Sequence, residues 1–515
     1  MGRYVAIAVY ALGLLVTSAA WGAYVEYQGP NGNLNVAGNW YVITDINDPT
    51  SRTGETRLPV IDDSALVRNA TTTTLNSALA GREFYVGGPV ITGQPTQSPT
   101  TMYITSGGSL SLPSALLDGS LLSIGGTYPA TLNLSGGTVV MTTRQDAVMN
   151  VGGPTGGTLN VSSGSLIMKH GPIPVGNVTL FVGLGAGNKG VATLSGGTID
   201  LSAGVQSSDR LFRVGYDSGT GQFTMSNGVM LNTSSIDIGT APLEAVAARS
   251  SGLLTQTGGS HYCSYRLIVG QNEAQGHYKL LGGTYQMQTE GIGSMGEVLI
   301  GRDAQTSTVG RGKLTVSQEA DMHVSFIGMG GWGGGGTPEH NQMELKLGSS
   351  SDFKITTGIA YLFGRLEVSL TNGFTPTPDQ EWKVMNASGG ISNTFAEVTP
   401  GFHLEVRALG DLTNDIVLVC DALRRGGDAN NDGAVNVGDL GILAGNWQQY
   451  DIFGKSWEQG DFTGDDTVNV GDLGVLAGAW GWTGTPVPPP PGQVPEPASL
   501  ALLALGGLAV LRRRR

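Results

Sequence analysis

Cysteine is nearly absent: Cys263 and Cys420 are the only two in 515 residues. Two thiols 157 positions apart do not make a disulfide framework, and the sequence leaves open whether they pair. No CxxC and no cluster of Cys with His occurs, which argues against a zinc site. Charge is scarce as well. Charged residues make up 13% of the chain, about half the ~25% of an average protein. Lys and Arg number 28 against 41 Asp and Glu, a net charge of -13. So few basic residues exclude a nucleic-acid partner, whose phosphates need a basic face. Long apolar runs are also missing. The two terminal stretches, Tyr4–Val16 and Ala498–Leu511, hold 13 and 14 residues, short of the ~20 of a helical membrane span.

Glycine is what the chain has in excess: 82 of 515 residues, against roughly 7% in average proteins. No Gly-X-Y period accompanies it, so the chain is not collagen. An apolar content of 40% is too high for a disordered chain. Abundant Thr, Ser and Val around glycine turns predict a mainly β protein, and the length predicts two to four units.

A loose motif recurs between residues 119 and 370. One half is an apolar residue followed by glycine, at Gly125, Gly152, Gly183, Gly215, Gly239, Gly270, Gly301 and Gly328. These glycines are spaced 27, 31, 32, 24, 31, 31 and 27 apart, a mean near 29. The other half is strand, glycine turn, strand: LNLSGGTVVM from Leu132, LNVSSGSLIM from Leu159, ATLSGGTIDL from Ala192, FTMSNGVMLN from Phe223, LLTQTGGSHY from Leu253 and YKLLGGTYQM from Tyr278. A unit this short cannot bury its strands alone, whereas stacked units share one continuous core. The expected fold is a parallel β-helix, with an array of β-sandwiches as the alternative. The repeat style resembles the passenger β-helices of autotransporters and related surface proteins. Asn39-Trp40, Pro59 and Asp62-Asp63 look like their opening. Glu381–Val384, Gly389–Ser392, Phe395 and Asn414–Leu418 look like their closing strands. The resemblance implies an N-terminal β region and cap over 23–118, repeats over 119–370 and closing strands over 371–422.

The C-terminal part carries a duplicated acidic segment, GDANNDGAVNVGDLGILAGNW from Gly427 and GDFTGDDTVNVGDLGVLAGAW from Gly460, offset by 33 residues. In the first copy, oxygen-bearing side chains fall at loop positions 1, 3, 5, 9 and 12, namely Asp428, Asn430, Asp432, Asn436 and Asp439. Gly433 stands at the sharp turn, and Ala434 would offer its backbone carbonyl. The second copy offers Asp461, Thr463, Asp465, the carbonyl of Thr467, Asn469 and Asp472. A hard cation that takes 6–8 oxygens suits these sets, and Ca²⁺ is the natural candidate. In the second copy Asp466 replaces the turn glycine and Thr463 is a neutral ligand, so the second site is expected to be weaker. Leu440, Leu443 and Trp447, and again Leu473, Leu476 and Trp480, recur at helical spacing and predict one apolar helix face per copy.

Two such loop-helix units resemble a type I dockerin over residues 424–484. The likeness implies a small α domain with two EF-hand-type calcium loops, folded in step with its ions. It departs at loop positions 10 and 11, where dockerins that bind cohesin carry hydroxyls and this chain has Val437-Gly438 and Val470-Gly471. Calcium binding therefore carries over, and cohesin is not an expected partner.

The termini read as processing segments. Arg3, the apolar run after it and small residues up to Gly22 form a signal peptide over 1–22, cleaved after Ala20 or Gly22. A Pro-rich linker at 485–493 leads to Val494, Pro495, Glu496 and Pro497, then the short apolar transmembrane segment and four arginines, Arg512–Arg515. That order resembles the PEP-CTERM sorting signal of Gram-negative bacteria. It implies export, transient membrane anchoring and processing by an exosortase.

The Asp residues of the repeats, Asp200, Asp217, Asp237, Asp303 and Asp321, are scattered singly, and the six His have no metal-ligand spacing. No catalytic constellation is visible. The expected function is that of an exported structural or adhesive protein of the cell surface, outer membrane or extracellular matrix, with a surface polysaccharide as the candidate ligand. The alternative is a polysaccharide-active β-helix enzyme carrying a docking module.

Overall fold

A computed structural model describes residues 24–484, apart from the segments 29–31, 45–51, 60–62, 68–71, 88–98, 114–119, 127, 144–145, 171–176, 202–209, 232–233, 243–249, 288–295, 303–309, 331–339, 349–351, 372–373, 410–412 and 422–424. The signal peptide, the Pro-rich linker and the sorting signal of the sequence analysis lie outside the described residues.

The described body is mainly β and solenoid-like. Its strands fall into two sheets of 15 and 22 strands, and nearly all pairs in the repeat region are parallel. Alternation makes these strands: Gly157–His170 shows buried and half-buried residues in turn on either side of its turn, as a strand with one face on a core requires. Successive units then align like residues over like. Leu132, Leu159, Ala192, Phe223, Leu254, Tyr278, Leu314, Met343 and Leu366 are register partners one unit to the next. On the facing sheet, Leu122, Met149, Leu180, Phe212, Ile236, Leu267, Val298, Ile327 and Ala360 do the same. Every one of these residues is buried in a single continuous core. Each large side chain there contributes about 1.5–3 kcal/mol by leaving water.

The apolar-Gly element turns the chain between the two sheets. Gly239 has φ +58°, and a Cβ at this position would lie 1.8 Å from the carbonyl oxygen of Gln275 in the next unit. Only glycine fits a left-handed corner with backbone stacked directly against it.

Parallel stacking reaches further toward the N-terminus than the repeat motif does. Glu83–Val86 pairs in parallel with Ser120–Ile124, and Thr100–Thr105 with Ala130–Thr143. Val86-Gly87 is an earlier member of the apolar-Gly series, hidden because Gly87 precedes Gly125 by 38 residues rather than about 29. Both ends change to antiparallel pairing. Tyr24–Tyr27 pairs with Trp40–Ile43 at one end, and Asn414–Cys420 lies between Glu381–Ala387 and Phe402–Ala408 at the other. Fully buried Trp40 and Trp382 sit in these end strands. No disulfide joins Cys263 and Cys420, and both thiols are buried.

Two helices, α1 (Val437–Gly445) and α2 (Val470–Gly478), follow the acidic loops. Their small core contains Ala429, Val435, Leu443, Trp457, Phe462, Val468, Leu476 and Ala479. The expected helix face is only partly used. Leu443 and Leu476 are buried, but Trp447 and Trp480 are 37% and 53% exposed. Each helix ends before its tryptophan, so the tryptophan leaves the helical phase. Trp457, from the segment between the copies, fills the core instead and donates its ring N–H to the carbonyl of Asp428 at 3.0 Å.

Candidate metal centre

Each acidic loop is folded around its own first carboxylate. Asp428 accepts the backbone N–H groups of Asp432 (3.2 Å) and Gly433 (3.0 Å). Asp461 accepts those of Gly464 (2.7 Å), Asp465 (3.2 Å) and Asp466 (2.8 Å). The last carboxylate closes each loop and caps the helix after it. Asp439 accepts from Ala429 (2.8 Å) and Asn436 (2.9 Å). Asp472 accepts from Phe462 (2.8 Å), Thr463 (2.9 Å) and Asn469 (2.9 Å). Asn436 and Asn469 accept the N–H groups of Gly438 and Gly471, each at 2.7 Å, completing the capping boxes. The sequence thus folds locally because its acidic side chains satisfy the backbone donors of a tight loop and of a helix start.

The remaining positions differ between the loops. In the first, Asn430 donates its side-chain amide to Asp432 at 2.9 Å, and Asp432 accepts the N–H of Ala434 at 2.9 Å. In the second, Asp465 accepts from the backbone (3.0 Å) and hydroxyl (2.7 Å) of Thr467, and from the Asn469 amide at 3.1 Å. Ligand atoms of Asp461, Asp465 and Asp472 all lie within 4.8 Å of one another, the one such group of three or more acidic, His or Cys side chains among the described residues. Burial pushes the Asp461 carboxyl up to about 7, with Asp472 adding to the rise while hydrogen bonds and Lys346 oppose it. Burial raises the Asp428 carboxyl as well, with Asp439 and Asp432 adding to it. Two buried carboxylates, Asp461 and Asp472, facing an exposed third, Asp465, with too little positive charge between them are what a cation would relieve.

Gly433 has φ +82° and Asp466 has φ +72°, so Asp466 holds a left-handed turn that costs a side-chain-bearing residue energy. Its side chain has a use the sequence did not suggest. The carboxylate of Asp466 meets Lys279 and Lys346 of the solenoid-like body, each at 2.7 Å. These lysines lie on the first and third of four neighbouring strands, β1 (Gln275–Met287), β2 (Arg311–Ser317), β3 (Asn341–Leu347) and β4 (Arg365–Leu370). On their outer face Lys313 pairs with Glu344 (3.0 Å) and Glu367 (2.7 Å), and Lys346 pairs with Glu344 at 3.2 Å. Glu344 is 1% exposed and Lys313 2%. Burial alone would neutralise both. Lys313 and Lys346 outweigh it and hold Glu344 well below the usual carboxylate range. Glu344 and Glu367 likewise outweigh it and hold the Lys313 ammonium raised.

The segment between the two loops lies on this charged platform. Lys313 donates to the carbonyl of Phe453 at 2.9 Å, and Lys346 donates to that of Gly464 at 2.7 Å. His277 Nδ1 stands 2.6 Å from the carbonyl of Ile452, and its Nε2 stands 2.8 Å from the hydroxyl of Thr315. A carbonyl only accepts, so Nδ1 carries the proton. A cavity of about 230 Å³ remains at the seam, lined by Arg311, Gln342 and Arg365 on one side and by Asp451, Phe453 and Glu458 on the other.

Sequence reasoning missed the platform. Its charges fall one or two per unit, at outward positions about 30 residues apart, and only register makes them neighbours. The scattered Asp200, Asp217, Asp237 and Asp321 stay apart from it. Asp303 lies outside the described residues, as do the sorting residues Val494, Pro495, Glu496 and Pro497. No helix among the described residues is long and apolar enough to cross a membrane.

Residues 493–515 match the PEP-CTERM protein-sorting motif. No curated protein matches the chain. The motif marks an exported, cell-surface-associated protein that undergoes exosortase-type processing.

Proposed function

We propose that residues 424–484 form a dockerin-like module that binds two calcium ions, and that the chain as a whole is a structural or adhesive protein of the cell surface rather than an enzyme. The observation that carries the first part is the convergence of Asp461, Asp465 and Asp472 within 4.8 Å. Asp428, Asn430, Asp432, Ala434, Asn436 and Asp439 would hold the first ion. Asp461, Thr463, Asp465, Thr467, Asn469 and Asp472 would hold the second. Calcium supplies the positive charge these carboxylates lack, and it would tie the loops to the folding of a core of only a few residues. The first site is the tighter of the two when the loops are judged by composition alone.

The second part rests on the long, evenly stacked body and the sorting motif, which together suit a protein displayed outside the cell. Its polar outer faces are ladders such as Asn133, Asn160 and Thr193, which hydrogen-bond to one another at 2.9 and 2.8 Å. A surface polysaccharide is the ligand class such faces would meet. The absence of hydroxyls at Val437 and Val470, 73% and 74% exposed, argues against cohesin. The buried charge cluster around Lys313 and Glu344 is neutralised internally and covered by the module, which weighs against a role for it in catalysis.

The test is a thermal melt of the full chain in calcium and in chelator. Ligand linkage predicts a rise of about 2.7 kcal/mol in module stability at a hundredfold excess of calcium over its Kd. An unchanged melt would oppose the proposal.

A further inference from the structure

The two copies of the acidic loop differ in what holds their turn. The first turns on Gly433, at φ +82°, and among the described residues none of the ion pairs made by the body reaches it. The second turns on Asp466, whose carboxylate is fastened by Lys279 and Lys346. Lys346 also takes the carbonyl of Gly464. At Gly464 the body is so close that a Cβ would lie 2.5 Å from the carbonyl oxygen of Leu370. Inside the loop, the N–H groups of Gly464, Asp465 and Asp466 are the donors that Asp461 holds. A single peptide stretch, 464–466, therefore faces Asp461 on one side and the body on the other.

We propose that the second loop is a docking loop, shaped by the body: Lys279 and Lys346 hold Asp466 in the left-handed turn that glycine holds in the first loop, so that with aspartate at the turn the module's seat on β1–β4 sets the order of the second loop. The partner that the platform fits is this chain's own acidic module. The charges are complementary: two lysines meet one carboxylate and one carbonyl, and Arg365 meets Glu458 at 3.4 Å. The proposal deepens the calcium reading, because whatever binds the second loop is then linked to docking, and docking to it, by the same factor. The first loop shares the module's core but has no counterpart of the Asp466 pairing, so docking reaches it only through that core.

Amide hydrogen exchange on the full chain tests this without relying on calcium binding. In the double variant Lys279→Ala, Lys346→Ala, the amides of Gly464, Asp465 and Asp466 should exchange about tenfold faster or more. Those of Asp432 and Gly433 should keep their wild-type rates. Adding Asp466→Gly to the double variant should restore protection at 464 and 465, because glycine holds the turn unaided. It should not restore the shielding of Lys313, read by acetylation footprinting. Equal acceleration in both loops, or unchanged rates at 464–466 with Lys313 newly acetylated, would overturn the proposal. Repeating the exchange with calcium alone added separates the two readings. If calcium changes no rate in either loop, the cation reading fails while the docking result stands.

Discussion

Asp466 and Lys346 meet at 2.7 Å across the seam between the acidic module and the β body, although 120 residues separate them in the chain. Burial and Glu344 push the Asp466 carboxyl up, but Lys346 and Lys279 prevail and keep it ionised. Lys346 is 7% exposed and pairs with Glu344 as well, so Lys346→Ala takes one of two ammonium partners from each of two carboxylates, leaving Asp466 to Lys279 and Glu344 to Lys313. Losing one member of a buried pair costs about 3–5 kcal/mol when the other is left uncompensated, and less here, where Lys279 and Lys313 stay in place. The module's melting transition in Lys346→Ala should fall accordingly, as followed by calorimetry on the full chain. A melt within a degree of wild type would show that the pair does not hold the module.

The seam should also respond to acid through His277. Burial, then Lys313 and Lys279, hold its imidazole down at about 3, against an ordinary 6.5, while the Ile452 carbonyl and Glu344 pull the other way. The folded state thus binds this proton less readily than the unfolded state. The contribution is complete above about pH 6.5 and is lost as the pH falls from there toward 3, at up to about 1.4 kcal/mol per pH unit. Urea midpoints between pH 7.5 and 5 should fall more steeply for wild type than for His277→Gln. Parallel profiles would remove His277 from the account.

The corners of the stack give a prediction about the body alone. Gly239→Ala places a methyl 1.8 Å from the Gln275 carbonyl at φ +58°. The next unit cannot retreat without breaking its ladder, so the variant should lose about 2 kcal/mol or more. Gly187→Ala is the control, with φ +76° but nothing within 4 Å. A smaller loss at Gly239 than at Gly187 in denaturant unfolding would contradict the close stacking.

These cases show what the sequence made legible. Gly239 and its fellows announced the stacked β body because a left-handed corner recurs once per unit and only glycine suits it. Gly87 escaped because the segment after it breaks the period. The two loops were legible from Asp428 to Asp472 because their oxygens sit in one short window at fixed spacing. Lys279, Lys313, Glu344 and Lys346 were not legible, since each is a lone outward charge in its own strand and only register brings them together. Asp466 was visible as a departure from glycine, but its lysine partners lie more than a hundred residues away. Trp447 and Trp480 misled because helical spacing continues past the residue where each helix stops.

The sorting motif carries its own prediction. Proline at 495 and 497 has no backbone N–H to donate and disfavours a helix before it, the sequence chemistry that a processing enzyme binding an extended peptide would read. Replacing Pro495, Glu496 and Pro497 by alanine should leave export intact and stop removal of the tail. Mass spectrometry of the C-terminal peptide of released protein reads this directly. Released wild-type protein that still carried residues 498–515 would contradict processing at this site.

The central claim is that the acidic loops hold calcium, and a calorimetric titration of chelator-stripped full chain tests it most directly. The account predicts two ions per chain, with Asp428→Ala losing one and Asp461→Ala the other. A titration that shows no binding, or a stoichiometry that neither substitution changes, would contradict it.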